Sequence, residues 1–339
     1  MPDPPSRRSQ PGGIPPAKER DPSLPPLGHS RRTVRPRQPL RTDSFTTMQS
    51  ERTPEYLVIG HIAADLQPDG SVVLGGTALY SALTAARLGW RVGVLTRGAF
   101  GVTTAGMEIP SLEPYASEIS IICQEAERPT TFINEYLVDR RVQTMPYWAG
   151  PIDLRGLPPH WRNARVIHLG PIAQEIEFKQ IGSLTPTFLG ATPQGWMREW
   201  PRERGGKVKL VKLRLSAELM ARLDGVVVSV EEISMAREVV ERVGGRRLGV
   251  ITRGERGARV IYGGEVADLP GFDFPVKDLT GAGDVFAAAF FIKATDRNAS
   301  AITATRFANA VAALSLRAVG PDGVPTMREV TAALDETPM

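Results

Sequence analysis

The sequence predicts an α/β protein built on a mostly parallel sheet with helices on both faces. Three observations predict it. From Tyr56 onward short β-rich runs alternate with longer helical stretches. No period of twenty to fifty residues repeats, which excludes solenoids and propellers. The 339 residues suffice to bury one large core or two modest ones. In chain order, the apolar and β-branched runs place strands at Tyr56–Ile59, Val92–Leu95, Val166–Leu169, Phe188–Ala191, Val226–Ser229, Leu248–Thr252 and Arg259–Tyr262. Helices are expected at Gly76–Leu88, Ser216–Leu223, Glu231–Val243, Val285–Ala294 and Ala299–Arg317. Two stretches break the rhythm. Leu66–Leu74 carries a turn-like Pro68, Asp69 and Gly70, and Thr130–Val142 is extended with no following helix. They read as antiparallel strands outside the main sheet, either an ordinary surface hairpin or a lid over its edge.

Charge is unevenly placed. The chain has a net charge of +4, but residues 1–54 hold ten Lys/Arg against five Asp/Glu, leaving 31 basic and 32 acidic residues in the body. That segment also holds 12 of the 29 prolines and shows no helical or strand period. Residues 1–53 are therefore expected to be a disordered tail: a solvated extension, or the product of an upstream start with Met48 as the true first residue. A basic arm reaching nucleic acid is the weaker reading. No apolar run approaches membrane-spanning length, and the single cysteine, Cys123, with four scattered histidines, gives neither an internal disulfide nor a zinc site of the usual kind. A soluble, cytoplasmic protein without a membrane partner is expected.

The most informative segment is Asp278–Phe290, DLTGAGDVFAAAF. Gly281, Ala282 and Gly283 lead into Asp284, and the residues after it are apolar all round, as in a helix buried on every side. Backbone N–H groups at such a turn, with the positive end of the helix, can cradle a phosphate. Asp284 at its mouth can accept the proton of a hydroxyl attacking phosphorus. The helix end is expected to keep its pKa low. A purely structural account also exists, since Asp in a first helical turn stabilises the helix and glycines make tight turns.

This run resembles the C-terminal signature of the PfkB-type carbohydrate kinases, the ribokinase family, with Leu279 in place of a threonine. The resemblance implies a ribokinase-like three-layer α/β/α fold over residues 54–331, with lid strands near 66–75 and 130–142 and a C-terminal tail at 332–339. It implies that Asp284 is the catalytic base and that Gly281, Ala282 and Gly283 form the anion hole. Further landmarks follow in order. ITRGERGA at Ile251–Ala258 would give Thr252, Gly254 and Gly257 to nucleotide binding, Asn309 in ANAVAA would face the base edge, and Ser229 replaces the family's phosphate-side asparagine. Glu232 would help hold magnesium through water, although Ser229 and Glu232 also spell a helix capping box. Asp278 and Thr280, with the loop Val319–Pro325, would close a monovalent-cation site suited to potassium.

On the acceptor side, Asp65 in GHIAAD and the paired Gly75 and Gly76 would bind substrate. Tyr80 stands where the family carries a sugar-facing asparagine, so it either stacks on a ring-shaped substrate or fills core. Thr192 takes the place of a family aspartate, and His168 reads as a core residue. The implied activity is transfer of the γ-phosphoryl group of ATP, with Mg2+, to a hydroxyl of a sugar, polyol or nucleoside. Arg253 is a candidate assistant. The alternative is a catalytically weak nucleotide- or metabolite-binding regulator of the same fold, motivated by Tyr80, Ser229 and Thr192. Lids in this family can pair between subunits, which admits a homodimer.

Overall fold

The computed structural model describes residues 52–136 and 141–336. Nearly all of the expected tail, and with it the nucleic-acid reading, lies outside them, as do residues 137–140 of the second extended stretch. In chain order the elements are β1 (Tyr56–Ile59), β2 (Ala63–Leu66), β3 (Val72–Gly75), α1 (Thr77–Arg87), β4 (Val92–Gly98), β5 (Val102–Thr104), β6 (Met107–Ile109), β7 (Ser120–Glu125), β8 (Thr131–Tyr136), β9 (Arg141–Tyr147), β10 (Val166–Leu169), β11 (Phe188–Ala191), β12 (Arg198–Glu199), β13 (Gly206–Lys207), β14 (Lys209–Leu210), α2 (Ala217–Arg222), β15 (Gly225–Ser229), α3 (Ile233–Gly244), β16 (Leu248–Thr252), β17 (Ala258–Tyr262), β18 (Glu265–Leu269), α4 (Ala282–Ala294), α5 (Ala301–Ser315) and α6 (Met327–Glu336).

The main sheet has nine strands in the order β18-β17-β16-β15-β11-β10-β1-β4-β7. It is parallel from β16 to β7 and closes with two antiparallel strands, β17 and β18. Side-chain alternation divides the core. Tyr56 and Val58 of β1 face a cluster shared with α1, α4 and α5, whereas Leu57 and Ile59 face one shared with α2, α3 and Trp161. Because both faces are covered, the strands read as continuous apolar runs. The fold is thus the α/β arrangement expected from the sequence. No helix among the described residues is long and apolar enough to cross a membrane.

The two irregular stretches lie in a second sheet, ordered β13-β9-β8-β2-β3. Its strands begin at Ala63 rather than Leu66 and continue to Tyr147 rather than Val142. β2 and β8 pair in parallel, not antiparallel, with Asp65 opposite Phe132. The expected C-terminal tail at 332–339 is also corrected: α6 runs through Glu336, held by the buried Val330 and Ala333.

Phe291 of α4 pins the layers together. It is fully buried, lies 5.6 Å from the Phe188 ring and 5.0 Å from the His168 ring, and reaches the sheet because β11 and β15 carry Gly190 and Gly225 beneath it. A side chain at Gly190 would sit 2.6 Å from its ring. Phe291→Ala is therefore expected to cost about 3–5 kcal/mol in denaturant unfolding. A loss below about 1 kcal/mol would contradict this account of the core.

Candidate functional site

Gly281 precedes α4 at φ 80°, a left-handed conformation that disfavours side chains. A Cβ there would lie 2.4 Å from the Tyr80 ring, so the turn is closed on that side by an aromatic plate. At Gly283 the reverse holds: the residue is exposed, and a Cβ would meet nothing within 4 Å. Ala282 N–H makes a long 3.4 Å bond to Leu279 and Val285 N–H bonds Gly281, whereas the N–H groups of Gly283 and Asp284 find no backbone carbonyl. Two donors therefore face outward at the positive end of a 13-residue helix, a geometry that receives an anionic oxygen. In the first turn of α4 the N–H groups without a backbone partner are thus those of Gly283 and Asp284, not the whole run Gly281–Gly283.

Asp284 keeps some accessible surface, yet the protein around its carboxyl strips away hydration. Burial raises its pKa to about 6. The Thr77 hydrogen bond and the Arg198 charge pull it down, and Glu232 pushes it up. The expectation that the helix end would keep this pKa low is therefore corrected, since desolvation is the largest cause and it raises the value. Thr77 donates to Asp284 Oδ1 at 2.7 Å, and Ser81 donates to the Asp284 carbonyl at 3.2 Å. Together with Tyr80, these residues occupy positions i, i+3 and i+4 on the face of α1 that meets the first turn of α4.

Beyond Asp284 lies a nearly buried polar chain. Glu232 Oε2 accepts from the Ser229 N–H at 2.9 Å, and Oε1 accepts from the Gln194 side-chain amide. Gln194 Oε1 accepts from Arg198 Nη2 at 2.7 Å, and Arg198 Nη1 donates to the Ile172 carbonyl at 2.8 Å. Arg198 and Glu232 are buried. The capping box is thus only half realised: Glu232 returns to Ser229, but Glu232 itself is the N-cap and the Ser229 side chain caps nothing. The Glu232 carboxylate retains acceptor capacity beyond these two bonds. Below the site, Tyr56 Oη, His168 and Thr192 form a buried chain with links of 2.8 and 2.9 Å. Burial pushes the His168 pKa down to about 3, keeping the ring neutral.

The remaining expected residues divide. Asp65 lies on β2 of the second sheet rather than in the loop after β1, and is partly buried beside Gly75, where a Cβ would meet its Oδ2 at 2.6 Å. Gly76 ends that approach as the residue before α1. Tyr80 is buried against Gly281 with no hydrogen bond to its hydroxyl. Burial, with Asp278, Asp284 and Asp65 near it, raises its pKa. Of the two expectations the structure shows core filling, with the ring packed between the Gly75 and Gly281 turns.

On the donor side, Thr252 ends β16 opposite Ser229, and Gly254 opens the following turn. Gly257 is required by the fold, since a Cβ would lie 2.2 Å from the Leu269 carbonyl. Asn309 is buried and donates to the Pro270 carbonyl at 2.9 Å, so its amide holds a loop rather than facing outward. Asp278 accepts from the N–H groups of Thr280 and Gly320, both at 2.9 Å. Burial alone would raise its pKa, but these donors win and hold it low. Each Asp278 oxygen thus accepts one backbone N–H, and the carboxylate ties the Gly320 loop to the turn. Arg253 pairs with Asp268 at 3.1 Å and so braces the sheet edge. No group of three or more His, Cys, Asp or Glu among the described residues could hold a metal.

Residues missed in the sequence are Thr77, Ser81, Gln194 and Arg198. The readable signal for the first two was a polar stripe, Thr77, Tyr80, Ser81 and Thr84, on an otherwise small and apolar helix.

Comparison with known proteins bears on family and fold. The profile of the pfkB family carbohydrate kinases matches residues 216–327. A candidate sugar kinase from Pyrococcus horikoshii is 32% identical over 128 residues, 38% of this chain and 41% of that protein. The matched stretch thus spans about two fifths of that curated relative. A pyrophosphate-dependent kinase in the ribokinase family, solved with a pyrophosphate analog and myo-inositol, aligns with a TM-score of 0.65 at 22% identity, over 82% of this chain and 100% of that one. Arabidopsis thaliana ribokinase with ribose and ATP aligns with a TM-score of 0.57 at 16% identity, over 83% and 99% of the two chains. The PfkB resemblance is thereby shown, and the fold is that of the ribokinase-family kinases.

The raised Asp284 pKa fixes a sign. Stability supplied by the neutral carboxyl is full below its unfolded value near 4 and is lost as pH rises through about 6. Asp284→Asn, a neutral isostere, is expected to melt a few degrees above wild type near pH 8 and level with it near pH 4. Equal gains at both pH values would contradict the shift.

Proposed function

We propose, taking the chain as a PfkB-type carbohydrate kinase, that it transfers the terminal phosphoryl group of ATP to a hydroxyl of a sugar, polyol or nucleoside. The observation that carries the reading is Asp284: a carboxyl with a pKa near 6, beside two unpaired N–H donors of a helix end. A base poised near neutrality deprotonates the acceptor as it attacks, while the N–H groups of Gly283 and Asp284 take up charge on the phosphoryl oxygens. Asp65 and the Gly75–Gly76 turn hold the acceptor from the second sheet, which excludes water as a lid. Thr252, Gly254 and Ser229 line the donor side.

A divalent ion fits these residues only as a guest of the donor's phosphates, with Glu232 lending its remaining acceptor sites through water. When bound, it neutralises phosphate charge. A potassium site at Asp278 and Thr280 would rest on loop carbonyls.

One observation favours a second donor. Asn309, expected at the base edge, is spent on the Pro270 carbonyl, and a pyrophosphate-dependent kinase is among the structural neighbours. Pyrophosphate would need only the phosphate turn. The acceptor of that neighbour, a cyclic polyol, also suits a site walled by Tyr80.

Purified protein with a panel of sugars, cyclic and linear polyols and nucleosides is expected to show acceptor-dependent phosphoryl transfer from ATP. Asp284→Asn should lower kcat at least about a thousandfold while leaving donor binding within a few-fold, because the lost group acts in the transition state. Transfer from pyrophosphate and none from ATP would move the assignment to the second donor. Nucleotide binding without transfer to any acceptor would favour a regulator of this fold.

A further inference from the structure

We propose that Thr77 is a positioning residue for this transfer: its hydroxyl pins Oδ1 of Asp284, leaving Oδ2 as the atom that receives the proton. The inference rests on the kinase reading above and deepens it by assigning the two carboxylate oxygens different tasks. In the step so defined, the acceptor O–H gives its proton to Oδ2 and its oxygen bonds to phosphorus. The bond from phosphorus to the donor's bridging oxygen breaks, the leaving group keeps the electron pair, and the proton then passes to water.

Three observations carry the assignment. A threonine hydroxyl has one proton, and at 2.7 Å from Oδ1 that proton is committed to the carboxylate. The Thr77 side chain is itself fixed. It is buried, stiff at its branched Cβ, and its methyl lies against Gly170, where an added Cβ would approach Cγ2 to 2.5 Å. The rest of the α1 face holds the same turn, through Ser81 on the Asp284 carbonyl and the Tyr80 ring on Gly281. Rotation of Asp284 would thus break a partly buried bond and meet a packed face. The charged and titratable groups around the carboxyl are Glu232, Arg198, Tyr56 and Tyr80. The side-chain hydrogen bond on the carboxyl comes from Thr77, whereas Glu232 and Arg198 act on it through their charge.

The test compares Thr77→Val, which keeps shape and removes the donor, with Thr77→Ser, which keeps the donor. Thr77→Val is expected to lower kcat roughly tenfold to a hundredfold, the worth of a hydrogen bond to a charged group, with the acceptor KM little changed. Its acidic limb should move above the wild-type value near 6, because the lost bond favoured the charged form. Thr77→Ser should restore both. A Thr77→Val enzyme with wild-type kcat and an unmoved limb overturns the proposal. If Thr77→Val does not fold, Thr77→Ala against Thr77→Ser makes the same comparison. Carboxyl-carbon NMR titration of Asp284, assigned through Asp284→Asn, decides independently of turnover. An upward midpoint in the variant supports the pin, and an unchanged midpoint rejects it. Wild type that phosphorylates no acceptor sinks the kinase reading, and the titration still judges Thr77.

Discussion

Helix α4 has no polar side, and that constraint orders the rest of the molecule. From Val285 to Ile292 every residue is buried, so the helix is enclosed by α1, α5 and the strands beneath Phe291. Its lateral faces are unavailable to any ligand. Only its two ends reach the surface, and at the first turn the unpaired N–H groups and Asp284 are held by the packing of the whole helix. Precision at the turn therefore comes from hydrophobic burial several turns away. A helix with a solvated face would leave the same residues free to move by tenths of an ångström, which transfer chemistry penalises heavily.

Buried charge is the counterweight. Arg198, Glu232 and Asp284 lie within electrostatic reach of one another in a poorly hydrated region, and isolated charges there would be costly. Gln194 separates the guanidinium from Glu232 and satisfies both, so the cation and the two acids are connected without collapsing into one tight pair. The arrangement leaves Asp284 the least compensated of the three. Its carboxyl has one side-chain donor, and its pKa rises accordingly. A complete network would have stabilised the charged form and held that pKa down.

Much of the main sheet was legible, because strands buried on both faces carry long apolar runs and helices between them carry glycine punctuation. Tyr56–Ile59, Val166–Leu169, Phe188–Ala191 and Leu248–Thr252 are read to the residue. β7 and β18 were not read, since SIICQE and EVADL mix polar residues into edge strands that are half covered. α6 was missed because its burial rests on Val330 and Ala333 alone. In the site, glycines and Asp284 were readable because backbone geometry demands them locally. Thr77 showed only as part of a polar stripe on α1, and the bonds that give Thr77, Gln194 and Arg198 their places reach 207, 38 and 26 residues along the chain, where only the fold brings them together. The pKa of Asp284 was misjudged for a similar reason: a helix end is a local feature, whereas desolvation depends on everything packed around it.

Tyr80 shows how the two halves of the site constrain one another. Its ring occupies the volume that a side chain at Gly281 would need, so the left-handed turn and the aromatic wall are one structural choice. A smaller residue at position 80 would leave that turn unsupported, and a larger one at 281 would drive the ring toward Asp65. The same ring lies within electrostatic reach of Asp65, Asp278 and Asp284, and burial together with these charges keeps its hydroxyl un-ionised. The space beside Asp65 is consequently bounded on that side by a flat aromatic ring rather than by a flexible amide.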